Sequence, residues 1–241
     1  MALPTNATPV YTIQIPSTKQ QFKFRPFVVR DEKALLIAYQ SDDVGVMLDT
    51  VKDVIKSCAK NEIDVDKLAS FDIEYIFLHM RAHSVGEVVE LLFACDVDHG
   101  ADNIKAKALK QINLFDAKVE FFDGHTSNIK LFGDVGVKMK YPSLDTLKKL
   151  ESNIDSQDVD SVINIAVDCI DYVYDAEEVF PAKDQSRDEL VTFVNDLTSD
   201  QFQKIRDFFR TMPQLRLYVD YSCPVCGKAH NKYMEGLASF F

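Results

Sequence analysis

No stretch of about 18 consecutive apolar residues occurs in the chain, so no helix is expected to span a membrane. The opening residues MALPTNATPVYT lack a basic segment followed by an apolar one, and do not read as a secretory signal. Cysteine is sparse. The five residues, odd in number and mostly scattered, argue against a secreted disulfide framework and place the protein in a reducing cytoplasm. Positive charge is short as well: 27 basic residues stand against 38 acidic ones, for a formal net charge of -11, with no dense Lys/Arg block. Nucleic-acid binding depends on Lys and Arg neutralising phosphates, so nucleic acid is not an expected partner. G-x-G-x-x-G, P-loop and G-x-S-x-G motifs are missing, as are low-complexity tracts and repeats of about 20–50 residues.

What is present is ordinary for a soluble globular protein: 241 residues, 46% hydrophobic and 27% charged, enough for one large domain or two small ones. Alternating Tyr11, Ile13 and Ile15, then Phe22 and Phe24, flank the polar PSTKQQ and predict a hairpin that Pro26 ends. From Val29 the period changes. RDEKALLIAY carries acids in its first turn, SDDVGVMLDTVKDVIKSC opens on a Ser/Asp cap, and FDIEYIFLHMRAHS is apolar nearly all round, so it should be the most buried helix.

After Gly86, EVVELLFAC reads as a strand, and the stretch to Tyr141 continues as short β-like runs between DG, SN and GD turns. SLDTLKKLESN, DSQDVDSVINIAVDCIDYVYD, SRDELVTFVNDL and SDQFQKIRDFFRTM read as helices, the second with Val159, Val162, Ile163, Ala166, Ile170 and Val173 on one face. RLYVDYSC is again a strand. The expected class is α+β: a helical layer with a small antiparallel sheet, from strands around 86–141 and 214–222, and a zinc knuckle near the C-terminus. Residues 1–241 form a single domain or two lobes, one helix-rich (26–85 and 143–213) and one strand-rich (86–141 with 214–230).

CPVCGKAH is C-x-x-C followed by glycine, the form of a zinc-ribbon knuckle. Two thiolates at this spacing take adjacent corners of a tetrahedron, and the glycine lets backbone amides turn towards sulfur. Four ligands are needed. Cys95 and His99 in FACDVDHGAD, beside Cys223 and Cys226, would make a two-knuckle structural zinc site, with His230 the alternative to His99. The plainer reading is two reduced surface thiols at a turn, and a thioredoxin-like role lacks its βαβ context.

HMRAH sets His79 and His83 at i, i+4, yet Met80 occupies the place of a water-activating carboxylate, so partly buried histidines are the better reading. DVDHGADN starts like a calcium loop, but its glycine is one position early and Lys107 stands where a closing Glu belongs. Cys58 and Cys169 fall in expected helices and read as core. No active site is assembled by these motifs. The closing LASFF leaves Phe240 and Phe241 to fold back into the core or to insert into a partner, and self-docking is the expectation.

RPFVVRDEKALLIA, FDIEYIFLHMRAHSVGEVVEL, MKYPSL, FFRTMPQL and EGLASFF, in that order, together resemble the baseplate hub assembly protein family of T-even-like contractile-tailed bacteriophages. The resemblance runs from near residue 10 to the last residue. It implies a non-enzymatic assembly factor made in the infected bacterial host cytoplasm and binding other phage baseplate hub or tail proteins. The alternative is a structural component retained in the baseplate of the virion tail. No catalytic residues come with it, and the zinc site rests on spacing alone.

Overall fold

The computed structural model describes residues 7–99, 107–151 and 159–236. A hairpin of β1 (Tyr11–Gln14) and β2 (Gln21–Phe24) is followed by helices α1 (Val29–Gln40), α2 (Val44–Cys58) and α3 (Ser70–Val85). Strands β3 (Val88–Ala94), β4 (Lys107–Asn113), β5 (Lys118–Glu120), β6 (Asn128–Phe132) and β7 (Val135–Met139) come next. After α4 (Leu144–Glu151) and α5 (Val159–Asp168), the chain forms β8 (Ile170–Tyr174) and β9 (Val179–Pro181). Helices α6 (Arg187–Asn195) and α7 (Ser199–Thr211) lead to β10 (Gln214–Ser222) and β11 (Ala229–Glu235). Helices mixed with small antiparallel sheets make this an α+β fold.

Helix starts follow local chemistry. The Asp43 side chain accepts the Val46 N–H at 3.0 Å to open α2. Ser186 with Glu189 and Thr198 with Gln201 form reciprocal capping boxes on α6 and α7. No helix among the described residues is long and apolar enough to cross a membrane.

The strands do not join into one sheet. Among the described residues they divide into β1-β2, β3-β4, β11-β10-β5 and β6-β7-β8-β9, every pair antiparallel. The largest departure from the sequence reading is at DSQDVDSVINIAVDCIDYVYD. Its helix stops at Asp168, and Ile170 and Val173, placed by period on a helix face, belong to strand β8. Cys169 lies between the two elements rather than inside a helix. The tract Ile-Asp-Tyr-Val-Tyr is rich in β-branched and aromatic residues, and pairing with β7 from Met139↔Ile170 to Gly136↔Tyr174 outweighs helical spacing. Gly136 is required there, because a Cβ would sit 2.2 Å from the Tyr174 hydroxyl.

Among the described residues the buried side chains gather into three clusters. Phe22 and Phe24 of the first hairpin pack with Val51 and Ile55 of α2 and with Ile73, Ile76 and Met80 of α3. Ile129, Val137 and Met139 of β6 and β7 pack under Ala166, Leu190, Ile205 and Phe208 of α5, α6 and α7. Leu78 and Ala82, also on α3, meet Phe93, Ile112, Leu215, Leu217 and Met234 of β3, β4, β10 and β11. α3 therefore contributes to two clusters, which is why its sequence shows no polar face.

One ion pair lies inside the first cluster's boundary. Asp31 takes Arg25 Nη1 at 2.7 Å, the Ser57 hydroxyl at 3.1 Å and the Val28 N–H at 2.9 Å. Burial opposes its charge, yet these donors win and hold the carboxyl below the usual range.

Candidate metal centre

Two strand ends build the site. Cys95 directly follows β3, and Cys223 directly follows β10. After Cys223 the chain turns through Pro224–Cys226 and re-enters the sheet as β11, with Ser222 opposite Ala229 and Tyr221 opposite His230. The turn is closed by Cys223 N–H to the Lys228 carbonyl at 2.9 Å and Gly227 N–H to the Cys223 carbonyl at 3.0 Å. Gly227 has φ 71, a left-handed conformation that costs glycine nothing.

The knuckles share one detail. The Val225 N–H reaches Cys223 Sγ at 3.4 Å, and the Val97 N–H reaches Cys95 Sγ at the same distance. In each, the amide two residues on is aimed at the sulfur, the turn expected after a metal-binding cysteine.

Strand packing brings the knuckles together. The Tyr221 hydroxyl donates to the Ala94 carbonyl at 3.0 Å, and Phe93 lies 5.0 Å from the Tyr221 ring. Cys95 Sγ is then 3.9 Å from Cys226 Sγ, and Cys223 Sγ is 3.5 Å from His99 Nε2. All four donor atoms of Cys95, His99, Cys223 and Cys226 fall within 4.8 Å of one another. Zinc–sulfur bonds of about 2.3 Å and zinc–nitrogen bonds of about 2.0 Å give tetrahedral edges of about 3.8 Å between sulfurs and about 3.5 Å from sulfur to nitrogen. The Cys95–Cys226 and Cys223–His99 contacts match those edges. A tetrahedron filled by four side chains leaves no open position for a reacting molecule.

The electrostatics suit the same chemistry. Burial opposes the Cys223 thiolate, but the N–H groups of Cys226 and Val225 and the neighbouring thiols outweigh it and bring its pKa down to about 6. Cys95 moves the other way, raised by burial and by the two nearby sulfurs. Cys58 and Cys169 are the contrast: burial pushes them up to about 11 and about 12, and they stay thiols in the core.

His230 is set apart from the four. Its Nε2 lies 3.3 Å from Cys95 Sγ, and it groups with Cys95 and Asp96 instead. Asp96, Lys228 and Tyr221, which frame the site, had no signal in the sequence beyond their nearness to Cys or His. His79 and His83 sit among aromatic rings, His83 stacked on Tyr11 at 4.0 Å and His79 4.3 Å from Tyr75. Burial, with His83 nearby, lowers His79 to about 4, so it is neutral packing at physiological pH. The remainder of DVDHGADN after His99, and the tail with Phe240 and Phe241, lie outside the described residues.

Comparison with known proteins follows the whole chain. The Baseplate hub assembly protein gp26 of Enterobacteria phage T4 is 27% identical over 218 residues, covering 90% of this chain and 90% of that protein. No solved structure matches. The family described as T4 bacteriophage base plate protein matches residues 8–241, from the first hairpin through both knuckles, and the chain belongs to that family.

Proposed function

We propose that the protein is a non-enzymatic assembly factor of a phage baseplate hub, made in the infected bacterial cytoplasm, where it binds other hub or tail proteins. The observation that carries this reading is the end-to-end similarity to a hub assembly protein, over 90% of both chains. The net charge of -11 supports protein rather than nucleic-acid partners. Cys95, His99, Cys223 and Cys226 hold a structural zinc that ties the ends of β3 and β10 together.

Purification of the tagged protein from infected cells tests the partner reading. Hub or tail proteins are expected in fixed ratio to it; recovery without any of them, under conditions that preserve baseplate intermediates, would sink it. A second reading, a component retained in the baseplate, is favoured by the family's description as a base plate protein. Mass spectrometry of purified particles separates the two, since stoichiometric presence of the chain excludes a purely transient role.

A further inference from the structure

Five metal-binding side chains crowd a centre that takes four. His230 is the one that touches a single member of the cluster and is otherwise packed outside it. Its ring lies flat against Tyr221, 5.0 Å between centroids and 16° between planes. Its Nδ1 lies 3.6 Å from Asp96 Oδ1, too far for a hydrogen bond, since Lys228 takes both oxygens of that carboxylate; its side chain is 8% exposed, and its Nε2 points at a single sulfur, Cys95. Tyr221 in turn donates to the carbonyl of Ala94, the residue before Cys95. The ring is thus fixed on β11 and aimed at the end of β3.

We propose that the metal takes Cys95, His99, Cys223 and Cys226, while His230 stays outside it and donates its Nε2–H to the Cys95 thiolate. The proposal rests on the zinc reading above. Three thiolates and one neutral imidazole around a dication leave one net negative charge in a partly buried place. A thiolate in that position is stabilised by N–H donors. Cys223 has its backbone donor from Val225, and Cys95 has one from Val97; His230 gives Cys95 a second.

The asymmetry has a reason in the chain. Cys223 and Cys226 are positioned by one tight turn with its own hydrogen bonds, whereas Cys95 stands at a strand end with His99 four residues away. His230 supplies from the opposite hairpin the restraint that Cys95 lacks locally. Lys228 adds to it, joining Asp96 at 2.9 Å and 3.0 Å. His230 is therefore a positioning residue, and His99 a ligand.

Cobalt(II) titration of the full chain reads the two roles separately, because the visible bands report the ligands and the titration reports affinity. The native protein is expected to bind one cobalt with tetrahedral bands. His230→Ala keeps the band positions and weakens binding about 10–100-fold, the usual effect of losing an outer partner. His230→Gln, whose amide still offers an N–H, recovers most of that loss. His99→Ala shifts the bands, as a nitrogen ligand goes. Shifted bands in His230→Ala with unshifted bands in His99→Ala would make His230 the ligand and overturn the assignment, as would unchanged affinity in His230→Ala. Should His230→Ala fail to fold by circular dichroism, His230→Gln decides alone: retained bands support the proposal and shifted bands overturn it. Absence of any cobalt binding by the native protein is a different failure, since it removes the metal centre itself.

Discussion

The two hairpin regions solve the same problem in opposite ways. β1 and β2 are only four residues long, yet Phe22 and Phe24 are fully buried against α2 and α3. β3-β4 and β10-β11 are built from strands of seven to nine residues, but much of their surface stays in water: Leu92 is 60% exposed, Leu109 61% and Tyr218 53%. A short hairpin that buries two phenylalanines is held by apolar area removed from water. Longer hairpins with one covered face gain less per residue, and it is between these that the Cys/His cluster lies. Strand length is a poor guide to what stabilises a hairpin, and the covered side chains are the better one.

The largest expected effect breaks the second region and spares the first. Cys223→Ser combined with Cys226→Ser should take zinc from one per chain to none, by elemental analysis of protein prepared without chelator. Hydrogen exchange should then accelerate in β10 and β11 while β2 and α2 keep their protection. Equal loss everywhere would show that the regions are not independently held. Phe24→Ala is the reciprocal experiment. It should cost about 3–5 kcal/mol in urea unfolding with the zinc content unchanged.

Asp31→Asn sharpens the account of the first region by removing a charge rather than bulk. It leaves Arg25 buried without its counter-charge, at a cost of about 3 kcal/mol, the lower end of the range for a broken buried pair, because the Ser57 hydroxyl and Pro26 carbonyl still accept from Arg25. The pH dependence follows from the lowered Asp31 carboxyl. Its contribution is complete above the ordinary value of 3.8 and is lost as pH falls through the lower folded value. Native protein should therefore lose stability in that acid window more steeply than Asp31→Asn, in parallel urea titrations. The smallest effect belongs to a region outside the comparison. Gly136→Ala, forcing a methyl against Tyr174, should cost about 1–3 kcal/mol, with zinc unaffected.

Much of this division was legible in the residues. The hairpin, the first three helices and the segments of α6 and α7 each carry a local signal that agrees with the tertiary outcome. α3 showed its double duty as the lack of a continuous polar face. β8 did not show itself, because Ile170 and Val173, three residues apart, continue the helical spacing of the residues before them, and only pairing with β7 reveals the strand. β11 was illegible for another reason: in AHNKYME a single side chain, Met234, is buried among the core residues, so alternation of hydrophobicity has nothing to display. The four clustered Cys and His residues were readable as two half-motifs. Spacing alone paired them into one site; what it did not show is the contact that joins the two strand ends, the Tyr221 hydroxyl reaching the Ala94 carbonyl at the end of β3. His230 was read as a substitute for His99, and a spacing of four from Cys226 has no means of telling a ligand from its neighbour.

The separation of the knuckles along the chain also sets an order in time. Cys95 precedes Cys226 by 131 residues, and at roughly 5–20 residues per second the ribosome needs on the order of ten seconds to make the difference. By then the residues of the first cluster, from Ile15 to Leu144, and those of the second, from Ile129 to Phe208, have already been synthesised. The upstream pair is therefore made well before the downstream one. Closure of the four side chains into one cluster comes last, so that a chain released before Cys223 is made has every apolar cluster residue of the first two groups and none of the closure.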